Sequence, residues 1–420
     1  MRTFKKDVND IFKLKKQSQF MSILRFSLNP LLSYAASFIT MIFIATVVYS
    51  RPEFAAREGK TCDFCHIDPA GGGPRNPVGQ VFEKNGYKFP KDFDVETFRR
   101  EAEQKKIPIT TSVHIRSAYI KPIKVSSGDR AVPTCNSCHA SKDTFFLMQG
   151  ELAVSSEPND KLKIMATSNM GTPLDVFAVV SAIPEHLYVK IGQFQIPFGL
   201  KGTDHNILVR QGYRIGSNLR DVGIEVGGVY SSIFYNIAVF NGNRIALTAI
   251  DNNQHKGFAT TAGCQYKFLR AGLSYLIDRP AEARQMLAAG YLTASVPPIS
   301  IEGEFDIGGY FKPSESLPLS EDDITSKGYF VGVGYKVNPF LHLSAQYGLF
   351  DPDRQIKGDA LSRLALRSEY SFMPNSSLDL IYWLNIENKD RLEDEQVSDK
   401  NLLRQLKGDD QIILMWHFWF

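Results

Sequence analysis

Two short stretches of this 420-residue chain combine side chains able to do chemistry: Cys62-Asp63-Phe64-Cys65-His66 and Cys135-Asn136-Ser137-Cys138-His139. Each reads Cys-x-x-Cys-His, the attachment signal for c-type haem, in which two thiols add across the vinyl groups and the adjacent imidazole binds the iron. Together they take four of the five cysteines. The spacing predicts two covalently bound haem c groups, anchored by Cys62, Cys65, Cys135 and Cys138, with His66 and His139 as proximal ligands. A four-thiolate zinc centre or a redox dithiol would also use Cys-x-x-Cys pairs, but neither needs a His directly after each second Cys. No Ser/His/Asp set, phosphate loop or zinc-protease motif appears, so hydrolytic and phosphoryl-transfer chemistry has no support.

The elements that would hold these motifs follow from patterning. Residues 1–32 are basic and Ser33 to Tyr49 is a largely apolar run without charge, the pattern of an export signal over residues 1–50; a retained membrane anchor is the alternative. Removing residues 1–50 takes away seven basic and two acidic residues and leaves 41 against 43, a net charge of −2. A broad basic surface for nucleic acid is thereby excluded. Residues 51–108 form a small haem segment, broken by Gly71-Gly72-Gly73-Pro74, with a short helical piece over Val78 to Tyr87 and a charged helix over Glu96 to Lys106. So small a segment buries little apolar core alone, and the haem is expected to serve as that core.

From Ile109 to the end, apolar and polar residues alternate in runs of 8 to 13 residues bounded by Gly, Pro, Asn and Asp. Sixteen strands are predicted, at 109–121, 144–154, 160–170, 173–181, 185–195, 221–230, 232–240, 257–268, 270–277, 286–296, 299–311, 327–336, 340–349, 360–371, 377–387 and 411–420. In 299–311, Ile299, Ile301, Phe305 and Ile307 oppose Glu302, Glu304 and Asp306. The chain ends on Ile412, Leu414, Trp416, Phe418 and Phe420 at every second position. Short links alternate with mostly longer ones at 196–220, 241–256, 278–285, 312–326, 350–359 and 388–410, as in barrels with short periplasmic turns and long external loops. The predicted fold is therefore all-β: an antiparallel transmembrane β-barrel of about 16 strands over residues 109–420, with the haem segment in or under the lumen. On this reading 109–121 crosses the membrane outward. The first haem motif then lies on the periplasmic side, and the second lies in the 122–143 loop, outside or folded into the lumen.

Other residues carry weaker signals. His114 shares the lumen face of its strand with Thr110, Ser112 and Arg116 and is the candidate distal iron ligand, with Met165 as a lesser one. Met148 lies on the apolar face of its strand and reads as a lipid contact, and Cys264 as a small lipid-facing or packed residue. His186 and His342 read as solvated wall residues, and the inward Glu302, Glu304, Asp306, Arg363 and Arg367 as hydrated wall charges that could also guide ions or position haem propionates.

The run from Arg51 through Cys62-Asp63-Phe64-Cys65-His66-Ile67-Asp68-Pro69-Ala70, followed by Asn76-Pro77-Val78-Gly79 and Phe82 to Tyr87, resembles the haem segment of the fused cytochrome-porin family of outer membranes. Gly192-Gln193-Phe194-Gln195-Ile196-Pro197-Phe198-Gly199 also resembles a segment of phosphate-selective-type porins. The cytochrome-porin resemblance implies a c-type haem domain plugging or lining a sixteen-stranded bacterial outer-membrane barrel, used by some members to oxidise extracellular ferrous iron. Those members carry one haem, whereas this chain has two motifs. The expected function is electron transfer across the outer membrane between external donors or acceptors, such as iron or a mineral, and periplasmic carriers such as small cytochromes. A solute-conducting porin with a haem-bearing gate or sensor, and a periplasmic dihaem peroxidase-like enzyme, are the alternatives.

Overall fold

In a computed structural model, described for residues 58–420 apart from 59, 61, 72–73, 86–87, 96, 99–108, 124–142, 160, 171, 184–185, 202–205, 217–218, 243–254, 279–284, 310–324, 355–359, 374, 387–409 and 420, sixteen strands close into one antiparallel barrel. They are β1 (Ile109–Pro122), β2 (Thr144–Asn159), β3 (Leu162–Asn169), β4 (Thr172–Ile183), β5 (Leu187–Gln195), β6 (Arg220–Tyr230), β7 (Ile233–Phe240) and β8 (Gly257–Tyr266). The second half comprises β9 (Leu269–Asp278), β10 (Gln285–Val296), β11 (Ile299–Gly309), β12 (Thr325–Lys336), β13 (Leu341–Asp351), β14 (Leu361–Met373), β15 (Ser376–Ile386) and β16 (Gln411–Trp419). Each strand pairs with its neighbours in sequence, and β1 pairs with β16, from His114 opposite Trp419 to Pro122 opposite Gln411. Closure leaves no edge whose backbone groups would need water, the condition for strands in lipid.

The alternation sorts the faces as its period requires. In β16, Ile412, Leu414 and Trp416 are exposed outward, while Ile413, Met415 and His417 are buried inside. Leu152, Ile164, Val176, Leu273 and Leu380 extend the apolar exterior. Tyr230, Tyr266, Phe268, Phe340 and Phe372 add exposed aromatics at the short-turn end, as an interfacial girdle would. Among the described residues no helix is long and apolar enough to cross a membrane.

Two expectations are corrected. The 196–220 connection is not an external loop: it folds into the lumen, where Ile196, Phe198, Leu200, Val209, Ile215 and Leu219 are buried. Its short helix α2 (Leu208–Tyr213) packs on β12, β13 and β14, with the Tyr213 and Phe350 rings edge to face at 5.1 Å. The physical reason is the apolar load of the segment, which stabilises it away from water. Glu304 accepts a hydrogen bond from the Leu200 amide, the Gly199 amide donates to Ser274 Oγ at 3.0 Å, and Arg363 donates to the Asn206 carbonyl at 2.9 Å. Gly199 has φ +65°, and a β-carbon there would meet the Glu304 carboxylate at 2.7 Å, so the inward turn requires glycine. Met148 does not face lipid. Between Arg116 and Ser117 the β1–β2 register shifts, Ser117 standing opposite Leu147 and Arg116 opposite Gln149, so Met148 is the extra residue of a bulge. It packs inside against Ala118, Ile120, Trp383, Ile413 and Met415.

Ahead of the barrel, a 3-10 turn at Cys62–Phe64 and helix α1 (Pro77–Lys84) form a compact hairpin-like unit. Phe64, Val78 and Phe82 are buried in it, while Ile67 joins the apolar cluster of the barrel. The rest of the proposed Glu96–Lys106 helix, beyond residues 97–98, lies outside the described residues, as do the signal segment and the Cys135–His139 motif.

Candidate functional site: a Cys-x-x-Cys-His turn held at the short-turn end of the lumen

The first motif forms a tight turn because its amides fold back on its own start: Cys65 and His66 donate to the Cys62 carbonyl at 3.2 and 3.0 Å. Asn76 then clamps the turn to α1. Its side-chain amide donates to the carbonyls of Asp63 and Phe64 at 3.2 and 3.1 Å, while its Oδ1 caps α1 by accepting from Gly79 at 2.9 Å. Pro77 at the first helical position needs no amide partner. Gly79 lies so close to the motif that a β-carbon would fall 2.0 Å from the Cys65 carbonyl oxygen. His66 forms an isolated antiparallel bridge with Arg75, which in turn pairs with Glu83 at 2.8 Å.

The turn is tied to the barrel through Asp68. Its carboxylate accepts from Lys190 of β5 at 2.8 Å and from Lys201 of the in-folded segment at 2.7 Å. Lys190 also pairs with Glu225 of β6 at 2.9 Å, and Tyr188 donates to the same Glu225 oxygen at 2.6 Å. Burial by itself would raise the Asp68 pKa, but the two ammonium groups outweigh it and hold the carboxyl well below the usual carboxylate range.

Cys62 opens onto a cavity of about 350 Å³ between the turn and the barrel wall. Leu187, Val229 and Phe234 give it an apolar side, and Lys163, Lys267 and Arg270 supply cations. Arg270 stacks on the Phe234 ring at 3.7 Å from its centre and points Nη1 at Cys62 Sγ, 3.8 Å away. Neither Cys62 nor Cys65 is in a disulfide. These residues fit a haem: the volume suits a cofactor pocket, the wall is apolar for a flat macrocycle, and the bases suit its two carboxylates. Lining the cavity at Ser181, Ser231, Ser232 and Lys267 are the ends of strands joined by short turns, which places Cys62 at that end of the barrel.

Of the site residues read from the sequence, Cys62, Cys65 and His66 lie together in the turn, and Cys62 is the one that lines the cavity. His114 faces the lumen but adjoins a separate small void with Arg75, Gln80, Glu83 and Trp419. Met165 is buried inward in the apolar cluster that includes Ile67. His186 is exposed at the rim, and Cys264 is exposed outward.

Among solved structures the chain is similar to OmpF of Salmonella typhi, described in complex with daunomycin, at 10% identity and TM-score 0.53, over 74% of this chain and 97% of that one. OmpT of Vibrio cholerae matches at 11% identity and TM-score 0.51, over 75% and 100%. An anion-selective porin from Comamonas acidovorans matches at 10% identity and TM-score 0.51, over 75% and 100%. The fold is that of a porin. No protein-family model and no curated protein matches the sequence.

Within this porin barrel, several site residues were not legible as such. Asp68, Lys190, Lys201 and Arg270 come together from four separate segments, and an inward lysine or arginine on a strand reads as a hydrated wall charge until its partner is known. His417 was likewise hidden in the aromatic end of the chain. Asn76 could have been found, since an Asn directly before a Pro that opens a helix is a capping signal.

Proposed function

We propose that this porin-fold protein is an outer-membrane dihaem cytochrome-porin that carries single electrons between the cell exterior and periplasmic carriers. The observation that carries the reading is the Cys62–His66 turn. It is locked through Asp68 to β5 and to the in-folded segment, and Cys62 faces an amphipathic cavity inside the barrel mouth. Cys62 and Cys65 would hold the cofactor covalently and His66 would ligate its iron; bound there, haem supplies a one-electron centre. Asp68, Lys190 and Lys201 fix the turn against the wall, and Arg270 sets a positive charge beside Cys62. The described part of the 196–219 segment buries Ile196, Phe198, Leu200, Val209, Ile215 and Leu219 inside the barrel, and the lumen volume they take up favours a conduit for electrons over a wide pore for solutes. Cys135, Cys138 and His139 would carry the second haem on the chain between β1 and β2, at the long-loop end.

The porin fold itself favours a second reading, in which solutes cross and the haem segment gates the lumen. The two separate in liposomes containing the purified protein and a trapped acceptor, reduced by an external donor. The expected result is reduction of the acceptor without solute leakage. His139→Ala is expected to leave the barrel assembled and abolish that transfer; an unchanged rate, or a mature chain whose mass shows no added porphyrin, overturns the proposal.

A further inference from the structure

The motif chemistry leaves one pair of imidazoles unused. His114 of β1 and His417 of β16 both face the lumen across the seam that closes the barrel, with His114 Nδ1 3.4 Å from His417 Nε2. That separation is long for a hydrogen bond, which usually falls between about 2.7 and 3.2 Å. It is, however, the spacing of two ligands on one ion: metal–nitrogen bonds of about 2.0–2.1 Å opening at a tetrahedral angle hold their nitrogens about 3.4 Å apart. The rings are inclined by 28°. Trp419 lies against His417 with ring centres 4.7 Å apart, a packing contact that helps fix the imidazole.

Next to His114 a void of about 20 Å³ separates the wall from α1, lined by Ser112, Asn375, Gln80 and the Arg75–Glu83 pair. It is large enough for one water, and its lining is polar. Among the described residues no third His, Cys, Asp or Glu joins the pair within metal-binding reach. Among the described residues the pair offers two nitrogens, and water entering by the void beside His114 would complete the shell.

We propose that His114 and His417 form a two-histidine site for a divalent transition-metal ion in the lumen, open to water on the side of α1. Imidazole pairs suit zinc, copper and nickel, and strands held in a closed barrel keep the two rings in place without a metal. The site uses neither haem motif and stands or falls independently of the electron-transfer reading.

The test is titration of the full-length protein with Cu²⁺, followed by electron paramagnetic resonance, and with Zn²⁺, followed by calorimetry. The expected result is a copper signal coupled to two nitrogens, together with zinc binding that weakens at least tenfold in His114→Ala and in His417→Ala. The haem absorption spectrum is expected to stay unchanged in both variants. Absence of the two-nitrogen signal in the wild-type protein overturns the proposal, and that reading needs no variant to fold. So does undiminished zinc binding by assembled His417→Gln, or a haem spectrum altered by His114→Ala, which would make His114 an iron ligand instead.

Discussion

Asp68 holds two ammonium groups from different parts of the barrel, so its loss is felt at the docking of the whole segment that precedes β1. Replacing it with Asn leaves Lys201 without its carboxylate, while Lys190 keeps Glu225. Breaking a buried pair costs about 3–5 kcal/mol, and the surviving Glu225 contact puts this case near about 3 kcal/mol. Protease release of the segment from otherwise intact barrels measures that loss. The sign of the pH dependence follows from the lowered pKa. The Asp68 contribution is complete above the free carboxylate value of about 3.9 and is lost as pH falls through the lower folded value. The difference between wild type and Asp68→Asn should accordingly be constant from pH 5 to 8 and shrink only in strong acid. That Cys62, Cys65 and His66 share one tight turn could be read from spacing because they are neighbours along the chain. Asp68 could not, because its partners lie far away in sequence.

At the scale of elements, the decisive packing is α1 against the motif turn. Gly79→Ala places a methyl 2.0 Å from the Cys65 carbonyl oxygen, and overpacking of this kind costs about 1–3 kcal/mol. On the proposed reading, the barrel is expected to assemble normally while covalent haem at the first motif falls, taking the haem content per chain from two towards one by pyridine haemochrome assay. A content that stays at two would show that the turn tolerates a displaced helix. All sixteen strands were legible within a few residues, because the period-2 pattern is imposed by lipid on one side and lumen on the other. What misled were local departures from that rule. The bulge at Met148 turns a residue inward that strict alternation sends out, and the 196–219 segment is apolar enough to sit inside although its length matched the external loops.

For the molecule as a whole, the in-folded segment decides how much of the lumen conducts. Replacing residues 199–218 with a short Gly-Ser linker removes α2 and its buried apolar side chains, leaving the strands to close through their own hydrogen bonds. Single-channel conductance in planar bilayers is expected to rise several-fold over the full chain. Equal conductance would mean that the segment does not limit the pore.

Because the wall closes through β1 and β16, the two strands furthest apart in sequence, their seam is the contact that must bridge the longest stretch of chain. Contacts between such distant segments form slowly, which makes this seam the late step in closing the wall. On the proposed reading, a haem attached to the Cys62–His66 turn before the seam forms would enter the barrel already bound.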